Sequence, residues 1–479
     1  MQTVETISRL LAGFERAGVR YVHWKSNNNI HLALSGSDDL DILVHPADAS
    51  TAQAVMSDLL FICGKSDKDA WQPNMYHYFA QDAGSNQLVH LHLHYALTLG
   101  FDYHKNFTLP VVDWYLEDQR HNGMIALPAP EREYIIMVIR TLIKNARSAA
   151  IAEFPIRQIR GLMRKGPSGQ SGASKELAWL RVQTNEAAVV AALESSGLPL
   201  EKSQFLSFAQ IAESDNKAAL KAAASELKKA ISDTRQSSEA RSLWLSIQRI
   251  NRTRWATLKA KFGAPRPHAK LPEFGGRIIS FIGGDGAGKS TNVSQTYKTL
   301  RRHLSVTQVH IGRPRRSASG LFLSITAKVF RVLRQRSLAH SLNHLALARN
   351  RINEFRRAER AREAGRIVIM DRLPHRAIIW MDAPRIRDPK TKLEQKLAAV
   401  EQRIYDRIQG VDLIVVLKLD PEIACARRPE DDRDTLLERS GEIWRQDWTA
   451  QHMMTVNTGE MLFEEVERAI LDRVWLEVS

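Results

Sequence analysis

The pattern of hydrophobic and polar positions divides the chain into three regions. Residues 1–115 mix helical and strand-like patterns, and residues 75–82 and 86–97 flank the turn residues "AGSN" as the strands of a hairpin would. Residues 116–262 carry apolar side chains mainly at helical spacing, which predicts helices. Residues 277–479 alternate helical patterns with strand-length apolar runs, as parallel α/β sheets do. The five predicted strands are "RIISFIGG", "SVTQVHIG", "RIVIMDR", "DLIVVLKLD" and "MMTVNT".

Two segments interrupt these patterns. Residues 165–175, "KGPSGQSGASK", predict a flexible break inside the helical region. Residues 263–276, "GAPRPHAKLPEFGG", have the Pro and Gly content of an interdomain linker. We therefore expect a multidomain α/β protein with an N-terminal α+β domain over 1–115, a helical middle region over 116–262 and a C-terminal parallel sheet flanked by helices over 277–479.

Composition adds a charge preference and a compartment. The formal net charge is +15, which attracts anionic partners such as nucleotides, nucleic acid or an acidic membrane surface. No apolar run approaches the length that spans a bilayer, and no signal peptide opens the chain. Cys63 and Cys425 lie in apolar surroundings, which predicts core thiols in a reducing compartment. We expect a cytoplasmic protein.

A glycine-rich motif follows the first strand of the C-terminal region. The stretch "FIGGDGAGKST" fits G-x-x-x-x-G-K-[ST] between a predicted strand and a predicted helix. Glycines let backbone N–H groups turn inward around an anion, Lys289 adds a charge for the β- and γ-phosphates, and the Ser290 hydroxyl can ligate Mg²⁺. The motif predicts binding of a nucleoside triphosphate such as ATP with Mg²⁺. The residues expected to hold it are Gly283, Gly284, Asp285, Gly286, Ala287, Gly288, Lys289, Ser290 and Thr291.

Two further segments carry phosphate chemistry. "GRIVIMDR" ends a predicted strand with Asp371 and Arg372, and an acid at this position can hold Mg²⁺ or orient an acceptor. Arg372 can grip a second phosphate. The arginines of "LDPEIACARRPEDDRDTLLERSGEIW" can close over a transferring phosphoryl group. Together with Lys289, these residues are the candidates for catalysis.

This layout resembles the thymidylate kinase family of P-loop nucleoside-monophosphate kinases, over about residues 275–479. The P-loop, the "NR" and "DR" pairs at the family's spacing, "LDPEIACARR" and "VNTGEMLFEEVERAI" carry the resemblance. It implies an ATP- and Mg²⁺-dependent transfer of phosphate to a nucleoside monophosphate. The residues it implies are Lys289 and Ser290 for the donor phosphates and Mg²⁺, Asp285 facing the acceptor, Arg351 and Arg372 for the acceptor monophosphate, and Arg427, Arg428 and Arg433 in the lid.

The acceptor side departs from the family pattern. "HIGRPRRSASG" keeps only Arg313 and Pro314 of the family's Arg-Glu-Pro-Gly-Gly loop, and "LPHRAIIWMDAPRI" replaces an aromatic and Ser-rich turn. Thymidine monophosphate is the default acceptor by resemblance. The alternatives are a sugar, a glycan end or a nucleic-acid 5′ end, and a binding protein in which ATP switches a conformation.

The N-terminal region holds a second candidate site in "SGSDDLDILVHPAD". Asp39 and Asp41 lie two residues apart at the start of a predicted strand, so both carboxylates share one face and can share a divalent cation. The order of helix, strand, loop and Asp-x-Asp strand resembles the nucleotidyltransferase fold. In place of the family's Gly-Ser pair stand Lys25 and Ser26, and no third carboxylate occurs at its expected place.

Three histidines occupy that place instead. His90, His92 and His94 alternate along a predicted strand and therefore share one face. They either ligate a transition metal beside the two aspartates or hydrogen-bond in a partly buried site. A degenerate domain that binds a ligand or partner without chemistry is the favoured interpretation, with nucleotidyl transfer as the alternative.

A basic stretch covers residues 313–366. We favour a solvated helix face plus a phosphate site there, while "GLFLSITAKVFRVLRQR" also has the interleaved apolar and basic residues of a helix that binds anionic lipid. Nucleic acid is a less favoured partner, and a homodimer stays open. Trp179, Trp244 and Trp255 are expected in the core.

Overall fold

The fold comes from a computed structural model with two compact units, the N-terminal unit Met1–His268 and the C-terminal unit Ala269–Ser479. Residues 165–171 of the predicted break at 165–175 and residues 263–268 of the predicted linker lie outside the part that the structure describes, whereas residues 172–175 of the break are helical. That part is residues 3–66, 72–101, 104–152, 172–214, 216–260, 269–375, 378 and 383–479.

The N-terminal unit begins with an α+β arrangement and continues with helices. Its strands are β1 (Tyr21–His23), β2 (Leu40–Val44), β3 (Ile62–Lys65), β4 (Met75–Asp82), β5 (Gln87–His94), β6 (Leu97–Phe101), β7 (His104–Leu109), β8 (Arg120–Asn122) and β9 (Ile125–Leu127). Its helices are α1 (Glu5–Arg16), α2 (Ile30–Leu34), α3 (Ala49–Asp58), α4 (Val112–Leu116), α5 (Pro130–Ala152), α6 (Gly172–Arg181), α7 (Glu186–Ser195), α8 (Lys202–Glu213), α9 (Lys217–Ala230) and α10 (Glu239–Ala260).

The main sheet of this unit places β2 beside β5. The strands lie in the order β1-β2-β5-β4-β3, and β2 and β5 run parallel while the other neighbours run antiparallel. The predicted hairpin is confirmed, because β4 and β5 pair from Met75 opposite His94 to Asp82 opposite Gln87. All five residues of β2 are buried, so this strand lies in the middle of the core.

One hydrophobic core joins the sheet and the helices. It extends from Ile7 on α1 to Ile231 after α9, and α5 contributes a row of fully buried residues that includes Ile135 and Leu142. The helical stretch therefore packs against the same core as the sheet. The finer division at residue 115 stays a prediction.

The expectation for the tryptophans is wrong at two positions. Trp179 packs against the core as expected, but Trp244 and Trp255 on α10 are 60% and 65% exposed. The buried residues of α10 are Ser242 and Ser246, so the side of the helix that carries these serines faces the protein. The two indoles face solvent.

The C-terminal unit alternates strands and helices along the chain. Its strands are β10 (Leu271–Pro272), β11 (Ile278–Gly283), β12 (Val306–His310), β13 (Ile367–Asp371), β14 (Leu413–Lys418) and β15 (Met453–Asn457). Its helices are α11 (Lys289–Arg301), α12 (Ala318–Val332), α13 (Arg336–Glu363), α14 (Lys392–Tyr405), α15 (Pro421–Arg427), α16 (Arg433–Trp444) and α17 (Phe463–Val478).

The strands β11 to β15 form a parallel sheet in the order β12-β13-β11-β14-β15. All five were predicted from their apolar runs, and the expectation of a parallel sheet flanked by helices is confirmed. From β11 the chain continues to β12 on one side of the sheet, and from β13 it continues to β14 on the other side. The direction of the connections therefore reverses between the neighbouring strands β11 and β13. Ligands of open α/β sheets bind outside the carboxyl ends of strands at such a reversal.

Candidate functional site

The glycine-rich loop, residues 283–288, lies at that reversal. It leaves the buried strand β11 and leads into α11, which begins at Lys289. Gly286 and Gly288 have φ values of 84° and 75°, a left-handed conformation that glycine adopts without strain. The free N–H groups of the first turn of α11 and its positive dipole end lie directly after the loop, an arrangement that suits an anion.

The loop is tightly packed against α16. A Cβ atom on Gly284 would lie 2.8 Å from Ser440 Oγ and 3.2 Å from Ser440 Cα. Gly283 approaches Leu417 of β14 in the same way, with 3.2 Å between a Cβ and Leu417 Cβ. A side chain at Gly284 would therefore force Ser440 to shift, and one at Gly283 would make a tight contact with Leu417.

Lys289 and Asp371 meet beside the loop. Lys289 Nζ lies 3.6 Å from Asp371 Oδ1, and both side chains are less than a tenth exposed. His310, at the end of β12, brings Nε2 within 3.3 Å of Asp371 Oδ2. Burial lowers the pKa of His310, Asp371 opposes this, and the cations of Arg372 and Lys289 add to it. The lowered pKa of His310 favours its neutral imidazole form at neutral pH.

Asp285, in the middle of the loop, lies between two arginines. Its carboxylate is 3.7 Å from Arg372 Nη2 and 3.3 Å from Arg439 Nη1. Arg372 has a φ of 72°, an uncommon backbone conformation for a residue with a Cβ atom. Its N–H donates to Phe281 O, which holds the backbone beside β11.

Arg439 is a site residue that the sequence interpretation covered only as one of the arginines of its segment, without a role of its own. It lies inside the arginine-containing segment but two turns beyond the residues taken over from the resemblance. The available signal was its neighbour pair, Ser440 and Gly441, because small residues on a helix allow close approach to another backbone. Ser440 makes that approach to Gly284.

The three proposed lid arginines lie in different surroundings. Arg427 donates to Gly286 O at 3.4 Å and to Thr458 O at 3.0 Å. The Cγ atom of Arg428 lies 3.7 Å from the position of a Cβ on Gly286, and its guanidinium pairs with Asp431. Arg427 and Arg428 thus flank the loop.

Arg433 pairs instead with Glu422 at 2.7 Å, and both side chains are about two thirds exposed.

Arg351, on α13, is almost fully buried and donates from Nη1 to the Tyr405 hydroxyl at 2.8 Å. Ser290 and Thr291 follow Lys289 on the first turn of α11 and are exposed. The roles expected of these residues stay predictions.

In the N-terminal unit, Asp39 and Asp41 lie among histidines. Asp39 Oδ1 is 2.6 Å from His90 Nδ1, and Asp41 Oδ1 is 3.1 Å from His92 Nδ1 and 3.6 Å from His94 Nε2. Lys25 Nζ lies 2.8 Å from Asp41 Oδ1.

These contacts set the charges of the cluster. Burial opposes ionisation of Asp41, but Lys25 and the histidines hold its pKa well below the usual value. Burial likewise opposes ionisation of Asp39, but the hydrogen bond from His90 and the charges of His92 and His90 together outweigh it, so this pKa is also lowered. Burial lowers the pKa of His94 to about 3. Two carboxylates are therefore ionised at neutral pH in a largely buried site.

Acids from the helical stretch approach the same place, which the sequence interpretation did not foresee. Ser26 has a φ of 61° and donates its N–H to Glu176 of α6. Asn27 donates to Glu133 of α5 at 2.7 Å. Burial raises the pKa of Glu133 to about 8, although Asn27 and Arg120 act in the opposite direction. No local pattern marks these acids, since they lie on amphipathic helices where an acid normally faces solvent.

Comparison with known proteins gives a distant similarity. No family model matches the chain. The "Uncharacterized ATP-binding protein YghR" of Escherichia coli strain K12 is 23% identical over 222 residues, which cover 42% of this chain and 88% of the relative. The protein of the same name from Escherichia coli O6:H1 strain CFT073 has the same identity and coverage. The chain is thus similar to these proteins along less than half of its length.

Proposed function

We propose that the chain is an ATP- and Mg²⁺-dependent phosphotransferase of the thymidylate kinase type. The proposal rests mainly on one group of residues at the site. It consists of the glycine-rich loop, the Lys289–Asp371 pair and Asp285 between two arginines. The name of the Escherichia coli relatives, "Uncharacterized ATP-binding protein", supports ATP as the phosphate donor. Phosphoryl transfer needs positioning and neutralisation of charge, and these are the groups that supply it.

The loop region fits the triphosphate and the metal ion. Backbone N–H groups of the loop and of the first turn of α11 would bind phosphate oxygens, and Lys289 would neutralise the β- and γ-phosphates. Asp371 Oδ1 is buried and has no hydrogen-bond partner among the described residues, and Ser290 offers an exposed hydroxyl. These two oxygen donors suit Mg²⁺, which when bound would neutralise the phosphate charge.

The acceptor would lie on the side of Asp285. There the acceptor oxygen would form a bond to the γ-phosphorus while the bond to the β–γ bridging oxygen breaks, which releases ADP. Arg372 would hold the acceptor phosphate with Arg351, and Arg427, Arg428 and Arg433 would close from the lid. Closure would exclude water, so ATP hydrolysis should be slow without an acceptor.

The experiment is ADP release from Mg-ATP by the purified chain with each nucleoside monophosphate in turn and with none. Strong stimulation by thymidine monophosphate, compared with its ribose and unmethylated relatives, supports the default acceptor. Stimulation by a sugar, a glycan end or a nucleic-acid 5′ end, and by no monophosphate, supports the alternative acceptor class. Stoichiometric ATP binding without acceptor-dependent ADP release would overturn the enzyme and favour a nucleotide-switched binding protein.

The N-terminal unit enters the proposal as a nucleotidyltransferase-like domain that recognises a ligand or partner. Lys25 already pairs with Asp41, and histidines stand where the family's third carboxylate is expected. Both features favour a binding role over nucleotidyl transfer.

A peripheral contact with an anionic membrane is a second proposal, favoured by α12. Phe322 and Val332 are 69% and 82% exposed, and Leu321, Ile325, Val329 and Leu333 are also exposed. The basic side chains beside them, also exposed, are those of Lys328, Arg331, Arg334 and Arg336. The opposite face of α12 is buried at Gly320 and Ala327. An apolar stripe flanked by cations is the pattern of a helix that lies on anionic lipid.

No helix in the described part of the chain has the length and apolar content needed to cross a bilayer.

A further inference from the structure

Strand pairing in the N-terminal unit aligns histidines and acids on one face of the sheet. Asp41 lies opposite His92 in the parallel pair β2–β5, and His92 lies opposite His77 in the antiparallel pair β5–β4. Paired residues of neighbouring strands point to the same face, so these three form a row. Asp39 and His90 lie two positions from members of the row and therefore share its face.

The imidazoles converge closely enough to share one ion. His77 Nδ1 lies 3.0 Å from His90 Nε2, and one ring nitrogen from each of His77, His90 and His92 lies within 4.8 Å of the other two. Zinc binds imidazole nitrogen at about 2.0–2.1 Å in tetrahedral geometry, which separates two ligand atoms by about 3.3 Å. Small side-chain rotations would bring the three rings to that spacing.

The aspartates hold two of the rings in a suitable tautomer. His90 Nδ1 is 2.6 Å from Asp39, and His92 Nδ1 is 3.1 Å from Asp41. A proton on Nδ1 that is donated to a carboxylate leaves Nε2 unprotonated. His90 Nε2 then faces His77 Nδ1 at 3.0 Å, and His92 Nε2 faces Asp39 Oδ2 at 3.7 Å. This is the arrangement by which carboxylates orient and strengthen metal-binding histidines.

We propose that His77, His90 and His92 form a binding site for a divalent transition metal ion, with Asp39 and Asp41 as the carboxylates that orient two of the ligands. Imidazole ligands favour zinc and its neighbours over Mg²⁺ and Ca²⁺, which prefer oxygen. The site thus differs from the cation site expected between the aspartates alone.

The proposed coordination leaves room for another ligand. Three protein ligands occupy a tetrahedral zinc ion only in part, and the Asp39 side chain is 38% exposed. A water molecule or an anionic group of a partner can therefore reach the metal. Structural zinc sites normally have four protein ligands, so this site is suited to binding a ligand rather than to holding the fold together.

The test is metal binding by the full chain without an affinity tag. The protein is treated with a chelator, exchanged into buffer and titrated with ZnCl₂ alone or MgCl₂ alone, and bound metal is measured by mass spectrometry after gel filtration. We expect one zinc ion per chain and no retained magnesium at this site. Cobalt(II) should give the visible absorption of a tetrahedral complex, which reports the ligand geometry directly.

Variants separate this site from casual binding to surface histidines. His90→Gln and His92→Gln should each weaken zinc binding at least tenfold and remove the cobalt spectrum. Asp39→Asn should keep the stoichiometry but weaken binding about 10–100-fold, because it removes only an orienting partner. His121→Gln, an exposed histidine on β8, should bind like the wild type.

Circular dichroism shows whether each variant is folded, and Asp39→Asn, at a partly exposed side chain, keeps the test valid if a histidine variant unfolds. A wild-type chain that binds no zinc would overturn the proposal. So would zinc binding that survives in folded His90→Gln and His92→Gln, or that is lost equally in His121→Gln. The close approach of His77 and His90 would then be explained by a hydrogen bond between the two rings without a metal ion. The readout is metal binding in the N-terminal unit, so it does not depend on the phosphotransferase proposal.

Discussion

Lys289 Nζ lies 3.6 Å from Asp371 Oδ1, although the two residues lie far apart in the sequence. They meet because β11 and β13 are parallel neighbours, with Phe281 opposite Asp371, and because α11 begins where the glycine-rich loop ends. A buried ammonium beside a buried carboxylate is held in place before any ligand arrives. Such a preset charge can act on a phosphate without reorganising during transfer.

Lys289→Ala should lower phosphate transfer by about a hundredfold or more, since it removes a preset positive charge. The measurement is acceptor-dependent ADP formation. Lys298→Ala, an exposed lysine on the same helix, is the matched control and should retain the wild-type rate. Because Asp371 loses a buried partner, thermal unfolding must show that the variant is folded. A folded Lys289→Ala chain that transfers phosphate at the wild-type rate would rule out the proposed role.

Arg439→Gln should lower transfer by about 10–100-fold while ATP binding changes little, because Arg439 contacts Asp285 on the proposed acceptor side. Turnover and the dissociation constant for ATP are measured separately. Arg403→Gln removes an exposed arginine whose hydrogen bond among the described residues goes to Ala399 O of its own helix, and it should change neither quantity. Equal losses of ATP affinity and turnover in Arg439→Gln would instead place this arginine at the donor.

Glu133 should make the N-terminal unit less stable as the pH rises. Its folded pKa of about 8 exceeds the unfolded value near 4.3, so the folded state binds the proton more tightly. The associated stability is present below the unfolded value and is lost as the pH rises through about 8. Unfolding midpoints of the wild type and Glu133→Gln are compared between pH 5 and pH 9.

The wild type should lose more stability than the variant over this range, by several degrees in the midpoint, since one pKa unit corresponds to about 1.4 kcal/mol. Glu131→Gln, in the first turn of the same helix, should follow the wild type. Parallel pH profiles for Glu133→Gln and the wild type would show that the carboxyl is already ionised at low pH.

The exposed face of α12 should bind vesicles that contain anionic lipid. The double change Phe322→Ser and Ile325→Ser should weaken vesicle binding at least tenfold, because it removes two apolar side chains that would be buried in the lipid. Leu476→Ser changes an exposed apolar residue on another helix, α17, and serves as the control. Co-sedimentation with anionic and with neutral vesicles, at low and high salt, gives the measurement.

Equal binding to neutral vesicles, or unchanged binding by the double variant, would contradict the membrane proposal. If light scattering shows a dimer that the double variant converts to a monomer, the face is instead an interface between two copies of this chain.

Much of the C-terminal unit could be predicted from local sequence. Apolar runs of strand length marked all five parallel strands, and the glycine spacing marked the loop, because strand burial and left-handed glycines leave a local pattern. The hairpin β4–β5 was visible for the same reason. The exposure of Trp244 and Trp255 was predicted wrongly, because an indole by itself does not reveal which side of its helix is covered.

The sequence by itself determined the strands, the loop and the list of charged residues that can act on phosphate. Only the tertiary structure decided which of them meet. Strand order brought Asp371 to Lys289, and the approach of α16 to the loop brought Arg439 to Asp285. In the N-terminal unit, strand register put His77 beside His90. Such pairings depend on contacts between distant segments, which local hydrophobic spacing does not encode.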